Sequence, residues 1–145
     1  MKAVIQPGGS IRDEEVIAAD TLDNCLSEHL DSIDFLKLDT QGSELDILKG
    51  GRQMLDMSVV GLEVEVEFYP IYKNQPLFGD VCTYLSERGF EFLDFVNLYR
   101  WRREESDSQF GQCVYADALF MIPPEARHKT LKEQPPGDPY VNAKV

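Results

Sequence analysis

The chain is poor in the residues that build metal clusters and disulfide frameworks. Its three cysteines, Cys25, Cys82 and Cys113, are odd in number, far apart and free of any Cys-x-x-Cys pair, so neither a disulfide scaffold nor a zinc site is expected. Histidine occurs only at His29, beside Leu30 in a helical pattern, and at His128 in a polar tail, and neither is given a catalytic role. Basic residues are outnumbered: 14 Lys and Arg stand against 26 Asp and Glu, a net charge of -12. That balance repels phosphate backbones and anionic bilayers, which argues against nucleic acid and membranes as partners. No apolar run approaches the roughly twenty residues of a membrane span. The short run Ala3-Val4-Ile5 is broken by Pro7 before it could act as a secretory signal, so a reducing, cytoplasmic setting is expected. No internal repeat or low-complexity tract is visible.

What is present suffices for one globular unit, since 145 residues at 43% hydrophobic content support one core and not two ordinary domains. The organising stretch is IDFLKLDTQGSELDILKGG, residues 33–51. Ile33, Phe35 and Lys37 alternate with Asp34, Leu36 and Leu38, sending apolar side chains to both faces, as in an interior strand of a largely parallel sheet. The strand is predicted to stop at Asp39. Thr40, Gln41 and Gly42 then form a polar turn, and Ser43 with Asp46 fits a capping box opening a helix whose apolar face includes Leu45 and Leu48. Lys49 suits the last turn of that helix, and Gly50-Gly51 predicts a left-handed cap at its end. A strand-to-helix bend in an open α/β sheet lies at the carboxyl edge, where such folds bind ligands. Asp39 has two readings there: a group placed for chemistry, or, with Ser43, a partner for free N–H groups at the helix start.

The segment DFLKLDTQGSELDILKGG resembles the signature of FkbM-type methyltransferases, in which a strand ending in Lys-hydrophobic-Asp runs into a Gly-x-Glu helix closed by glycine. The flanking blocks are similar and in order: Thr21-Leu22-Asp23 upstream, then Glu65-Val66-Glu67-Phe68, Tyr72, Gln75-Pro76-Leu77-Phe78, Gly89-Phe90 and Ala116-Asp117-Ala118-Leu119-Phe120. The similarity runs from Val16 to about Ile122 and covers the second half of such a domain. It implies an α/β fold: a partial class I methyltransferase sheet, Rossmann-like, lacking the N-terminal cofactor-binding strands. Those strands would supply a glycine-rich loop and an acidic ribose ligand. Ala3-Val4-Ile5 with Pro7-Gly8-Gly9-Ser10 lacks the acidic residue, the spaced glycines and the amphipathic helix, and reads as an ordinary turn. The expected layout is a lead-in over residues 1–15, the half-domain over 16–122 and a proline-rich polar tail over 123–145.

The activity implied by the resemblance is transfer of the methyl group of S-adenosylmethionine to a hydroxyl of a sugar or secondary metabolite, here by a fragment of the enzyme. Asp39 is the first candidate for the base and Glu65 the second; burial that raises a carboxyl pKa, or a bound metal, would make either effective. No metal ligand set is assigned. Residues 59–68 predict a second interior strand, with Leu62, Val64, Val66 and Phe68 on one face and Glu63, Glu65 and Glu67 on the other. Either the glutamate face is solvated or paired with Lys37 and arginines, or Glu65 and Glu67 line a crevice with Asp39, because neighbouring strands lie about 5 Å apart. Glu67, Tyr69 and Tyr72 are the candidate acceptor contacts, the tyrosines by virtue of rings that pack on sugar faces.

Elsewhere Thr21 predicts a helix cap with Leu22, Leu26 and Leu30 as the buried stripe, and residues 16–19 a short strand. Met54, Leu55 and Met57 are expected to cross the surface. Pro76 suits the first turn of a helix with an apolar stripe of Leu77, Phe78, Val81, Tyr84 and Leu85, ended by Arg88 and Gly89. Residues 90–96 predict a strand, 98–112 a polar insertion, and 113–122 a last strand, which the resemblance to class I methyltransferases implies is paired antiparallel with the one before it. Arg100, Trp101, Arg102 and Arg103 form the densest basic cluster, open to two readings: a seat for a phosphorylated or carboxylated sugar, or partners of Glu104, Glu105 and Asp107. Without a first half of the domain, the strand at Ile33 to Leu38 becomes an apolar edge, so self-association or a partner chain is expected to cover it. A split subunit completed by a partner, or a non-catalytic binding module, remain the alternatives to an enzyme fragment.

Overall fold

The computed structural model describes residues 18–27, 32–103 and 110–126. Along the chain lie α1 (Leu22–Ser27), β1 (Phe35–Leu38), α2 (Glu44–Gly50), α3 (Arg52–Met57), β2 (Gly61–Glu67), α4 (Phe78–Ser86), β3 (Glu91–Trp101) and β4 (Gln112–Met121). The strands form one mixed sheet in the order β1-β2-β4-β3, with β1 parallel to β2 and the other two pairings antiparallel. The expected α/β class and the antiparallel final pair therefore hold. The lead-in before residue 18, His29, Leu30, the acidic residues at 104–109 and all of the tail beyond residue 126 lie outside the described residues, and Ala18 and Ala19 are in no strand.

The core occupies one face of the sheet. Leu62, Val64 and Val66 of β2, with Ala116, Ala118 and Phe120 of β4, are sealed beneath Leu45 and Leu48 of α2 and Val81 and Leu85 of α4. Five aromatic rings, Phe68, Phe78, Phe92, Phe95 and Phe120, extend it, with centroid spacings of 4.7 to 5.6 Å. Removing that much apolar surface from water is the main force holding helices to sheet. The opposite face is open: Phe35, Leu93, Val96, Tyr99, Trp101, Tyr115 and Met121 are all substantially exposed. By register Phe35, Met121, Tyr115 and Tyr99 share the face of Glu63, Glu65 and Glu67, while Leu93 and Val96 stand at irregularities of β3.

Local chemistry explains the elements and several departures from the sequence expectations. Thr21 caps α1 as predicted, its Oγ1 accepting from the Asn24 N–H at 3.2 Å. The carboxylate of Asp23 accepts from the N–H groups of Gln53 and Met54 at 2.9 and 3.0 Å and so caps α3 from a distant part of the chain. Residues 52–57 are thus a helix, not a surface crossing, and Leu55 is buried in the core. Gly51 is not left-handed: its φ is -108°, and the chain turns directly into α3. A side chain there would meet Leu22 Cδ2 at 3.0 Å, so this glycine serves the close approach of α1 to the α2–α3 junction. The helix after Pro76 starts at Phe78, with the Asp80 carboxylate accepting from the Leu77 N–H at 2.9 Å. It ends at Ser86, ahead of the expected Arg88 and Gly89, which lie in the turn that follows, Gly89 with φ +83°.

The largest departure concerns residues 98–101. They continue β3 and do not belong to an insertion: Leu98, Tyr99, Arg100 and Trp101 pair with Ala116, Tyr115, Cys113 and Gln112. Tyr99 stacks on Tyr115 at 5.0 Å with the rings 15° apart, and the Arg100 guanidinium donates to Cys113 Sγ at 2.9 Å. Cross-strand pairs of this kind hold a polar hairpin together without a buried face.

Candidate active site

The parallel pair β1 and β2 sets up the site. Lys37 is level with Glu63 and Leu38 with Val64, so Asp39, one residue on, comes level with Glu65. Glu65 is opposite Asp117 on β4, and Asp117 opposite Asn97 on β3, giving a polar row across all four strands. One level further along, Glu67, Tyr115 and Tyr99 form a second row. Both rows lie at the carboxyl ends of the two parallel strands, the edge where open α/β sheets bind ligands.

Two of the three strand glutamates are buried, Glu65 at 8% exposure and Glu67 at 3%, whereas Glu63 is satisfied by an ion pair with Lys37. Lys37 also approaches Asp117 at 3.7 Å. The two readings of this face therefore divide along the strand, pairing at its start and clustering at its end. Burial, with the neighbouring carboxylates of Asp39 and Glu44, holds the Glu65 pKa above the usual range, opposed by its hydrogen bond to Gln41. Burial, reinforced by Glu44 and Glu65, pushes Glu67 up to about 7.

The bend after β1 organises these groups. Gln41 sits at φ 58°, in the left-handed region, and its amide nitrogen reaches Glu65 Oε2 at 2.7 Å and Asp39 Oδ1 at 3.3 Å. It therefore ties the two carboxylates together. Glu44 takes the role expected of Ser43 and Asp46: its carboxylate accepts from the Thr40 N–H at 2.7 Å, the Thr40 hydroxyl at 2.9 Å and the Gly42 N–H at 2.9 Å. Ser43 makes no side-chain cap bond. Glu44 thus holds the N–H groups of the bend that leads into α2, and Asp39 is exposed beside it.

Tyr72 comes to this bend and Tyr69 does not. Gly42 has φ 108°, and a side chain on it would strike Gln75 Nε2 at 2.8 Å and Tyr72 Cδ2 at 3.3 Å, so the loop after β2 packs directly on the loop after β1. Gln75 Oε1 accepts from the N–H groups of Ile71 and Tyr72 at 3.0 and 3.1 Å, which fixes the loop. The Gln75 amide nitrogen is near enough to favour the charged form of Glu67, yet it is buried without a hydrogen bond of normal length and angle. Tyr69 is 55% exposed, and among the described residues no hydrogen bond or ring contact joins it to the crevice. Sequence reasoning missed Gln41, Glu44 and Gln75 as site residues, although each stands inside a block that carries the family resemblance. The Glu of Gly-x-Glu was the available signal.

Among the described residues, no group of three or more His, Cys, Asp and Glu side chains is arranged to hold a metal ion, and no helix is long and apolar enough to cross a membrane. The fold and the site together define an α/β protein with a cluster of buried carboxylates at the carboxyl edge of its parallel strands. Residues 4–92 match the methyltransferase FkbM domain, and the chain belongs to that family. The matched stretch contains Asp39, Gln41, Glu44, Glu65, Glu67, Tyr72 and Gln75 and ends at the start of β3. No curated protein and no solved structure matches the chain.

Proposed function

We propose that the chain carries the acceptor half of an S-adenosylmethionine-dependent O-methyltransferase, built on a class I, Rossmann-like sheet and acting on a hydroxyl of a sugar or related metabolite. The observation that carries this reading is Asp39 held level with Glu65 at the carboxyl edge by one amide, Gln41, in a chain of the FkbM methyltransferase family. Asp39, on the exposed side of the pair, takes the hydroxyl proton. Glu65, whose pKa is raised, is the alternative base for that proton. Glu67 and Tyr72 bound the acceptor, and holding the oxygen in line with the methyl carbon is the larger part of the catalysis.

S-adenosylmethionine supplies the methyl group in this reaction. The described residues do not fit it as a complete site: at the one strand-to-helix bend of the parallel pair, the Thr40 and Gly42 N–H groups are already held by Glu44, and a side chain of Gln75 fills the space beside Gly42. The donor is therefore assigned to chain beyond the described residues or to a partner. A split subunit is favoured by a specific observation, that among the described residues β1 is the terminal strand of the sheet and Phe35 on it is exposed. The reaction is tested by incubating the full chain with methyl-labelled S-adenosylmethionine and a panel of sugars. Label in a sugar supports the enzyme; a folded chain that transfers no label and gives calorimetric heat with neither S-adenosylmethionine nor any of the sugars would leave a binding module of other specificity in its place.

A further inference from the structure

We infer that the acceptor site extends from the carboxylate crevice across the open sheet face onto the β3–β4 hairpin, where Tyr115 and Tyr99 form a platform for a sugar ring and Arg102 with Arg103 receive an anionic substituent on it. This rests on the acceptor reading given above and names the acceptor class: a hexose bearing a carboxylate or phosphate.

The register places the platform. Tyr115 is directly opposite Glu67 and Tyr99 directly opposite Tyr115, so the stacked pair continues the glutamate's row on the same face of the sheet. By strand alternation Trp101 follows Tyr99 on that face, and it is 53% exposed. The hairpin runs past Glu67 by several residues, so the strip from Glu67 to the Trp101–Gln112 pair is roughly 10 Å long. The ring surface that the stack leaves uncovered, with Tyr99 and Tyr115 both still exposed, offers apolar area to a ring at little conformational cost.

Charge gives the strip a direction. One end is the Asp39–Glu65–Glu67 crevice; the other is followed by Arg102 and Arg103, both exposed, and among the described residues neither makes an ion pair. Arg102 is held close: a side chain at Gly111 would meet its Cγ at 2.8 Å and the Trp101 carbonyl oxygen at 2.5 Å. In a chain of net charge -12, an arginine couple beside tyrosines is a local exception that favours an anion. A sugar lying on Tyr115 with its anionic group toward the arginines presents a hydroxyl to the acidic end, where a proton is to be removed. An ammonium-bearing ligand would be drawn the other way round.

Trp101 is the only tryptophan, so intrinsic tryptophan fluorescence reports on this strip alone. The full chain is titrated with methyl β-glucuronide, methyl β-glucoside and inorganic phosphate. A saturable change is expected with the glucuronide, weaker by roughly fivefold or more with the glucoside, and none with phosphate at the same concentrations. Arg102→Gln with Arg103→Gln should bring the glucuronide to the level of the glucoside, and Tyr115→Leu should remove saturation by both sugars, with Tyr99→Leu as the second variant if the first fails to fold. Equal responses to glucuronide and phosphate, no saturable response from a folded chain, or saturation unchanged in both tyrosine variants would overturn the inference. The readout needs no methyl transfer. Glucuronide binding without transfer counts against the reaction, whereas transfer to neutral sugars with no Trp101 response counts against the platform alone.

Discussion

Burial at the end of β2 sets the proton affinity of the crevice, and Glu67 registers it most. Its carboxyl is pushed up to about 7 from an ordinary value of 4.5. Between those two values the folded chain keeps a proton that the unfolded chain has released, so stability falls as pH rises. The contribution of Glu67 is fully present below pH 4.5 and is lost once pH has passed about 7. Glu67→Gln fixes the neutral form, and melting temperatures should then change less across that window, with a gain on the order of 2–3 kcal/mol above pH 7. A variant whose pH dependence matches that of the original chain would show that Glu67 ionises freely in the fold. Asp39, Glu65 and Glu67 were legible in the sequence because a strand's period of two assigns faces, and the end of a parallel strand assigns the edge. Gln41 and Glu44 were not. Their side chains fold back on their own bend, and that depends on the positive φ of Gln41, which no pattern of apolar residues announces.

At the level of elements, short helices here depend on caps supplied from elsewhere in the chain. Helix α3 has only six residues, too few to persist without packing and capping, and its first N–H groups are held by Asp23 of α1. Asp23→Ala should therefore cost about 1 kcal/mol or more in chemical denaturation and loosen the α2–α3 junction, seen as faster amide exchange at Gln53 and Met54. Exchange at those two amides no faster than before would remove Asp23 from that role. The elements themselves were mostly visible beforehand: the second strand and the helix after Pro76 lie where alternation and apolar stripes put them, and the final pair is antiparallel as the family resemblance implied. The exceptions share a cause: α3 and the outer part of β3 are polar segments stabilised by contacts distant in sequence, Asp23 in one case and Tyr115 in the other, so local composition read them as surface crossing and insertion.

Taken whole, the molecule has one finished side and one unfinished side. Among the described residues the helices pack on one face of the sheet, while the other face and the outer edge of β1 meet at the exposed ring of Phe35. Copies of a chain at -12 repel one another in dilute salt, and added salt screens that repulsion without weakening apolar contact. Light scattering at micromolar concentration should accordingly report association that grows with ionic strength; a monomer at every salt concentration would mean that the open face is satisfied within one chain. The central claim is that the crevice carboxylates take the proton of an acceptor hydroxyl, and the most direct measurement is methyl transfer from S-adenosylmethionine by the full chain and by its Asp39→Asn variant. A rate lower in the variant by roughly a hundredfold or more, with an unchanged melting temperature, is predicted. An Asp39→Asn chain as active as the original would contradict it.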